Sequence, residues 1–217
     1  MPENQSVILI GQAEENIRWH EIQALIFDVD GTLYHQLPVR LRMAFRLARY
    51  YGTHLSGLQE LKGISCFRRI REEEAFQAVS LDKQILEAAR RSGADDADKL
   101  KAAIQRWMFK EPLDAIAAHP RKNVISLLRR RQAEGKRIII YSDYAAEEKL
   151  AALCLTPDAV YYPGTMGMTE MKPSRKCMEL ILSREGIRAD QAVMVGDRPE
   201  KDGKSAELAG MRFIYVL

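Results

Sequence analysis

The rhythm of apolar and polar positions divides the chain into three stretches. Near the beginning, Ala24-Leu25-Ile26-Phe27 is a short unbroken apolar run, the pattern of a strand buried on both faces. From Pro38 to about Ala118 the apolar positions recur at helical spacing instead. They are Leu41, Phe45, Leu47 and Ala48, then Phe67, Ile70, Phe76 and Val79, then Ile85, Leu86 and Ala89, and last Leu100, Ile104, Trp107 and Met108. Gly52, Gly57, Gly63 and Gly93 punctuate this span, and nothing in it reads as a strand. Beyond His119-Pro120 helices and strands alternate. The pattern predicts helix 121–134 closed by Gly135, strand 138–141, helix 145–153, strand 159–162, helix 174–184, strand 192–195, helix 201–209 and strand 213–216.

Strands that alternate with helices imply right-handed crossovers, so the expected fold class is α/β, a doubly wound parallel sheet of Rossmann-like type. The expected core consists of residues 21–35 and 119–217, interrupted after its first strand by an α-helical block over 36–118. Residues 1–20 are an N-terminal extension. Its aliphatic run, Val7 to Ile10, reads either as an extra edge strand or as a loose arm, and also as an exposed patch able to pair with a neighbouring molecule.

Composition changes this picture only at the margins. At 217 residues and 47% hydrophobic content, the chain can bury a proper core. No apolar run approaches the roughly 20 residues of a membrane span, and the amino terminus lacks the basic start and long apolar segment of a secretion signal. A cytoplasmic protein without a membrane partner is expected. Cys66, Cys154 and Cys177 have neither metal-type spacing nor a disulfide framework and read as buried or half-buried thiols. The net charge of +3, from 33 basic and 30 acidic residues, is too even to point to nucleic acid.

Candidate chemistry begins where the first strand ends, at Asp28-Val29-Asp30-Gly31-Thr32. Residues two apart on a strand face the same way, so the two carboxylates are expected to project together and to repel unless a cation lies between them. A hard divalent ion suits oxygen ligands, and Mg2+ takes one or two carboxylates together with substrate phosphate oxygens. The bland reading of Asp-Gly-Thr is an ordinary turn. In open α/β sheets the ligand site lies at the carboxyl ends of the strands, so the residues just after each later strand bear on this choice. Ser142-Asp143 offers a hydroxyl and a backbone amide for an anion, or else a helix N-cap. Lys172-Pro173 places a cation at the start of a helix, where it makes sense if it faces an anion and otherwise is a solvated lysine. Asp197 is placed to complete a metal ligand set and Asp202 to orient it from behind, although acidic residues also gather at helix amino termini.

The run Asp28-Val29-Asp30-Gly31-Thr32 resembles the first motif of the haloacid dehalogenase superfamily, Asp-x-Asp-Gly-Thr/Val. Ser142 is similar to the second motif, Lys172-Pro173 to the third, and Gly196-Asp197 with Asp202 to the fourth. The resemblance implies a superfamily core with a helical cap inserted after the first motif. It makes Asp28 the nucleophile and Asp30 the general acid and base. Members that break carbon–halogen bonds lack the second Asp, so phosphoryl transfer is expected. The resulting expectation is a Mg2+-dependent phosphatase acting on a small phosphorylated metabolite through an aspartyl-phosphate. Asp28, Asp30 and Asp197 are expected at the metal, and Thr32, Ser142, Asp143 and Lys172 at the phosphate. A phosphotransferase or phosphomutase, and a non-catalytic phosphometabolite-binding protein, are the alternatives. A phosphorelay receiver domain is disfavoured by its shorter length and its different order of residues. In the cap, Arg40/Arg42/Arg46, Arg68/Arg69/Arg71 and Arg90/Arg91 read as solvated helix faces, or as a greeting for a second anionic group on the substrate.

Overall fold

A buried strand with no polar side chain satisfies its backbone by lying between two neighbours, and β2 (Ala24–Phe27) lies at the centre of a six-stranded sheet. The computed structural model describes residues 8–53, 57–76 and 78–217. The sheet order is β1-β6-β5-β2-β3-β4, every pair parallel, with β1 at Ile8–Leu9, β3 at Arg137–Tyr141, β4 at Ala159–Tyr161, β5 at Ala192–Gly196 and β6 at Arg212–Tyr215. From β2 the chain builds outward through β3 and β4, then crosses back to β5 on the other side. The strand order therefore reverses beside β2, which opens a crevice at the carboxyl ends of β2, β3 and β5.

Residues of β2, β3 and β5 facing the same layer pack in register: Ile26 lies between Ile139 and Met194, all three without solvent exposure. The N-terminal run proves to be an edge strand, since Ile8 and Leu9 pair with Ile214 and Tyr215 and are half-buried rather than a free patch. Val7 lies outside the described residues. Behind it, after the one-turn helix α1 (Ala13–Asn16), Ile17 is buried and the Arg131 guanidinium lies 3.7 Å above the Trp19 ring.

The chain divides into two compact units, one joining Met1–His35 to Pro120–Leu217 and the other spanning Gln36–His119. The second unit is helical throughout its described residues, with α2 (Gln36–Thr53), α3 (Leu58–Ile70), α4 (Leu81–Ser92), α5 (Ala97–Ile104), a π-helical continuation (Gln105–Lys110) and α6 (Leu113–Ala118). Its core is aromatic and hydrogen-bonded: the Trp107 indole donates to the Tyr51 hydroxyl at 3.1 Å, and Tyr51 donates to Glu60 at 2.7 Å. The inward face of α2 is Val39, Met43 and Tyr51, whereas Leu41 and Phe45 are exposed, so the helical phase expected from the sequence is rotated. The arginine clusters are partly spent inside the unit. Arg46 takes Asp114 with both guanidinium arms, Arg71 is buried on Gln84, and Arg91 joins Glu73 to Glu87. Arg40, Arg68 and Arg69 are exposed.

In the sheet unit the helices are α7 (Lys122–Ala133), α8 (Glu147–Ala152), α9 (Arg175–Glu185) and α10 (Lys204–Ala209). Two helix starts differ from expectation. Ser174 is the N-cap of α9, its hydroxyl accepting the Cys177 N–H at 3.1 Å, so Pro173 precedes the helix and does not sit in its first turn. Ahead of α10 runs a π-turn, Pro199–Gly203, because the Arg198 carbonyl accepts the N–H groups of Lys201, Asp202 and Gly203 together. That wide turn folds Asp202 back over the end of β5.

Truncating Ile26 to Ala should cost about 2–5 kcal/mol of unfolding free energy, read in urea as a lower midpoint for the sheet unit. Leu208→Ala, on the outer face of α10, should change it by less than about 0.5 kcal/mol.

Candidate functional site

The crevice is built by the loops that leave the three central strands. Asp28 still belongs to the ladder through its N–H, which donates to the Val195 carbonyl at 2.9 Å. After it the backbone turns, so the strand alternation that aims residues 28 and 30 the same way no longer applies. The two acids go to different lysines. Lys172 Nζ lies 2.5 Å from Asp28 Oδ1, while Lys149 Nζ lies 2.5 and 2.7 Å from the two oxygens of Asp30. The cation between the carboxylates that the sequence calls for is thus, for this pair, two separate ammonium groups.

Lys172 spends all three of its donors in the interior, on Asp28, on Asp202 Oδ1 at 2.6 Å and on the Tyr141 carbonyl at 3.1 Å. Its ammonium is stabilised well above its ordinary range, because Asp202, Asp28 and Asp143 outweigh the burial that opposes the charge. The acids are less well served. Burial, with Asp202 and Asp30 adding to it against the pull of Lys172, pushes Asp28 up to about 7. Burial and the nearby Asp28 push Asp197 up to about 6, and Asp202 is raised for the same first reason. Lys172 therefore does not by itself offset the effect of burial on Asp28.

Asp28, Asp197 and Asp202 converge, each offering an oxygen, with these atoms all within 4.8 Å of one another. Three carboxylates facing one ammonium leave two negative charges uncompensated when all are ionised. An all-oxygen donor set with that deficit fits a hard divalent cation. Two glycines make the convergence sterically possible. A Cβ on Gly31, whose φ is +97°, would stand 2.0 Å from Asp197 Oδ2, and one on Gly196 would stand 2.4 Å from Asp202 Oδ2. The Thr32 hydroxyl lies 3.0 Å from Asp28 Oδ2 and 3.3 Å from Asp197 Oδ1, so it is engaged by the acids and not free for a phosphate. Asp202 is doubly held, by Lys172 and by the Arg198 N–H at 3.1 Å.

Asp30, expected among the metal ligands, does not bring its carboxylate into that group. Lys149 and the Tyr34 hydroxyl at 2.5 Å hold it apart. Burial opposes its charge, but Lys149 and the two sets of hydrogen bonds outweigh burial and hold Asp30 below the usual carboxylate range. Ser142 is buried at the end of β3, its oxygen accepting the Tyr144 N–H at 3.2 Å, and it does not cap α8, which begins at Glu147. Asp143 bridges two segments, accepting the Lys172 N–H at 2.8 Å and lying 3.6 Å from Lys201 Nζ. Tyr34 and Lys149 are absent from the site expected on sequence. The available signal for Lys149 is its phase on α8, where it shares the buried side with Leu150.

Divalent-ion binding should be proton-linked with a definite sign. In the ion-free protein Asp28 and Asp197 titrate at about 7 and about 6, against 3.8 for an ordinary aspartate. Their raised values favour the folded ion-free state only at low pH. That contribution is complete below about pH 4 and is lost as pH rises through 6 and 7. A cation needs the ionised forms, so the rise in melting temperature produced by millimolar Mg2+ should be larger at pH 8 than at pH 5.5. It should shrink at both pH values in Asp197→Asn. Equal increments at the two pH values in the unaltered protein would remove these acids from the site.

No helix among the described residues is long and apolar enough to cross a membrane. Residues 22–210 match the family of haloacid dehalogenase-like hydrolases. The chain is 29% identical over 203 residues to a phosphoglycolate phosphatase of Rhodospirillum rubrum, covering 89% of this chain and 79% of that protein. It is 25% identical over 231 residues to a phosphoserine phosphatase of Thermus thermophilus, covering 90% and 88%. Among solved structures, a 2-haloacid dehalogenase from Pseudomonas syringae superposes with a TM-score of 0.62 at 20% identity, over 89% of this chain and 86% of that one, a likeness of fold. Matched by one family over residues 22–210, most of its length, the chain belongs to the haloacid dehalogenase-like hydrolases.

Proposed function

We propose that this hydrolase cleaves phosphate monoesters of small metabolites by way of an aspartyl-phosphate on Asp28. The observation that carries this reading is Asp30, a second acid two residues on, held by its own lysine and tyrosine outside the three-acid cluster. A departing halide leaves as a stable anion and needs no proton. A departing alkoxide does, so a separate carboxyl at this place suits an ester oxygen. The two phosphatase relatives support the same reading.

Asp28 has one oxygen bound to Lys172 and the other beside Thr32. The second oxygen attacks phosphorus in line with the leaving group, forming an O–P bond as the ester O–P bond breaks. Asp30, ionised in its resting pair with Lys149, takes up the proton of the substrate's phosphate monoanion on binding and gives it to the leaving oxygen, releasing the alcohol. It then takes a proton from the water whose oxygen attacks the phosphorus, which returns Asp28 and frees inorganic phosphate. The Ser142 hydroxyl and the backbone N–H groups beside it supply fixed donors for the phosphoryl oxygens, and Lys172, whose own donors are held by Asp28, Asp202 and the Tyr141 carbonyl, adds its positive charge. Asp28 and Asp197 would hold Mg2+ with Asp202 behind them, and the ion, when bound, offsets the repulsion between carboxylate and phosphoryl group. Asp30 stays with Lys149 and Tyr34 and out of this set. A cytoplasmic setting belongs to the same reading and is supported by three unpaired cysteines.

Hydrolysis of p-nitrophenyl phosphate should require Mg2+ and stop on chelation. Asp28→Asn should lower kcat by at least about 10³-fold while the protein still folds, and near-normal turnover in that variant would end the nucleophile assignment. Asp197→Asn should raise the Mg2+ concentration for half-maximal activity by about tenfold or more. Measuring released phosphate separates transfer to water from transfer to another acceptor.

A further inference from the structure

Lys149 is a buried cation of the crevice that the phosphatase reading leaves without a task of its own. Its side chain is 7% exposed, carried on α8 beside buried Leu150, and its ammonium meets both oxygens of Asp30, at 2.5 and 2.7 Å. It also faces the Tyr144 ring, 5.5 Å from the centroid. Among the described residues, no carboxylate other than Asp30 is bonded to it. Asp30 itself is 22% exposed, so the pair lies at the open side of the site while Lys172 and Asp202 lie at its floor.

These facts, with the reading of Asp30 as the group that meets the ester oxygen, place Lys149 on the leaving-group side. When the leaving oxygen takes one of the Asp30 oxygens, Lys149 loses half of its contact and has no second acid to turn to. A buried ammonium without a partner is strongly unfavourable. The substrate can supply the missing anion if its alcohol portion carries one a bond or two from the ester carbon. The two-oxygen contact that Lys149 already makes is a contact with a carboxylate. We infer that Lys149 is a specificity-determining residue that receives a carboxylate on the leaving group, so that the substrates are phosphate monoesters of short hydroxy acids.

This inference rests on the phosphatase reading, and the test separates the two. The probes are 2-phosphoglycolate and 2-hydroxyethyl phosphate, which differ by a carboxylate in place of a neutral alcohol. The unaltered protein should favour the carboxylated ester by about 100-fold in kcat/KM, as expected for a charged contact in a partly desolvated site. Lys149→Met touches Asp30, so both substrates lose turnover. The loss on 2-phosphoglycolate should exceed the loss on 2-hydroxyethyl phosphate by about 30-fold or more, with much of the difference in KM. Lys149→Arg should restore part of the preference. Equal losses on the two esters, or no preference in the unaltered protein, would overturn the inference and leave the phosphatase reading intact. Failure of the unaltered protein to cleave either ester or p-nitrophenyl phosphate would instead overturn that reading, and this inference with it.

Discussion

One ammonium group organises the floor of the crevice. Lys172 comes from a loop far along the chain from Asp28 and from Asp202, yet it hydrogen-bonds both of them and the Tyr141 carbonyl at once. Burying one charge in this way is strongly unfavourable unless its partners are fixed and complete. Each partner is fixed by a different strand end. Asp28 comes directly after β2, Tyr141 closes β3, and Asp202 is turned back by the π-turn after β5. Any register shift between the three strands would separate the acceptors and leave Lys172 with an unmet donor, so the interaction and the sheet order require each other.

The same crowding explains the glycines. Carboxylates packed within hydrogen-bond range of a common centre take the volume that side chains of the loop backbone would use. At Gly31 and Gly196 the nearest atoms a Cβ would meet belong to Asp197 and Asp202. The acidic group is therefore a steric construction as much as an electrostatic one. With three acids to one lysine it carries an excess of two negative charges when ionised, which protons relieve in the ion-free state and a divalent cation would relieve at higher pH. The Asp30–Lys149 pair is balanced by comparison, one charge against one. The crevice thus contains an under-neutralised floor and a neutral rim, both legacies of one Asp-x-Asp sequence.

Much of this is legible in the chain. Ala24–Phe27, Ile138–Tyr141 and Ala192–Val195 are apolar without interruption, which is what strands covered on both faces require, and the residues just after them are those the structure gathers. What escapes is physical rather than accidental. Alternation along a strand predicts a shared direction for Asp28 and Asp30 only while the strand lasts, and it ends at Phe27. Lys149 sits in Glu-Glu-Lys-Leu, a composition that reads as solvated, and only the phase of α8 turns it inward. The buried face of α2 differs from expectation because its exposed residues include Leu37, Leu41 and Phe45 at helical spacing, a stripe as apolar as the face that is packed. Periodicity locates a stripe and does not say which of two stripes is covered.

That the cations holding Asp28 and Asp30 are lysines reflects the shape of what they bind. The Lys172 acceptors come from three directions, two carboxylates and a carbonyl, and a tetrahedral ammonium can offer a proton to each. A planar guanidinium directs its donors into one plane and does not meet three such acceptors together. Lys149 faces both oxygens of one carboxylate, a geometry an arginine fork matches well. The floor therefore demands lysine, whereas the rim merely accommodates it.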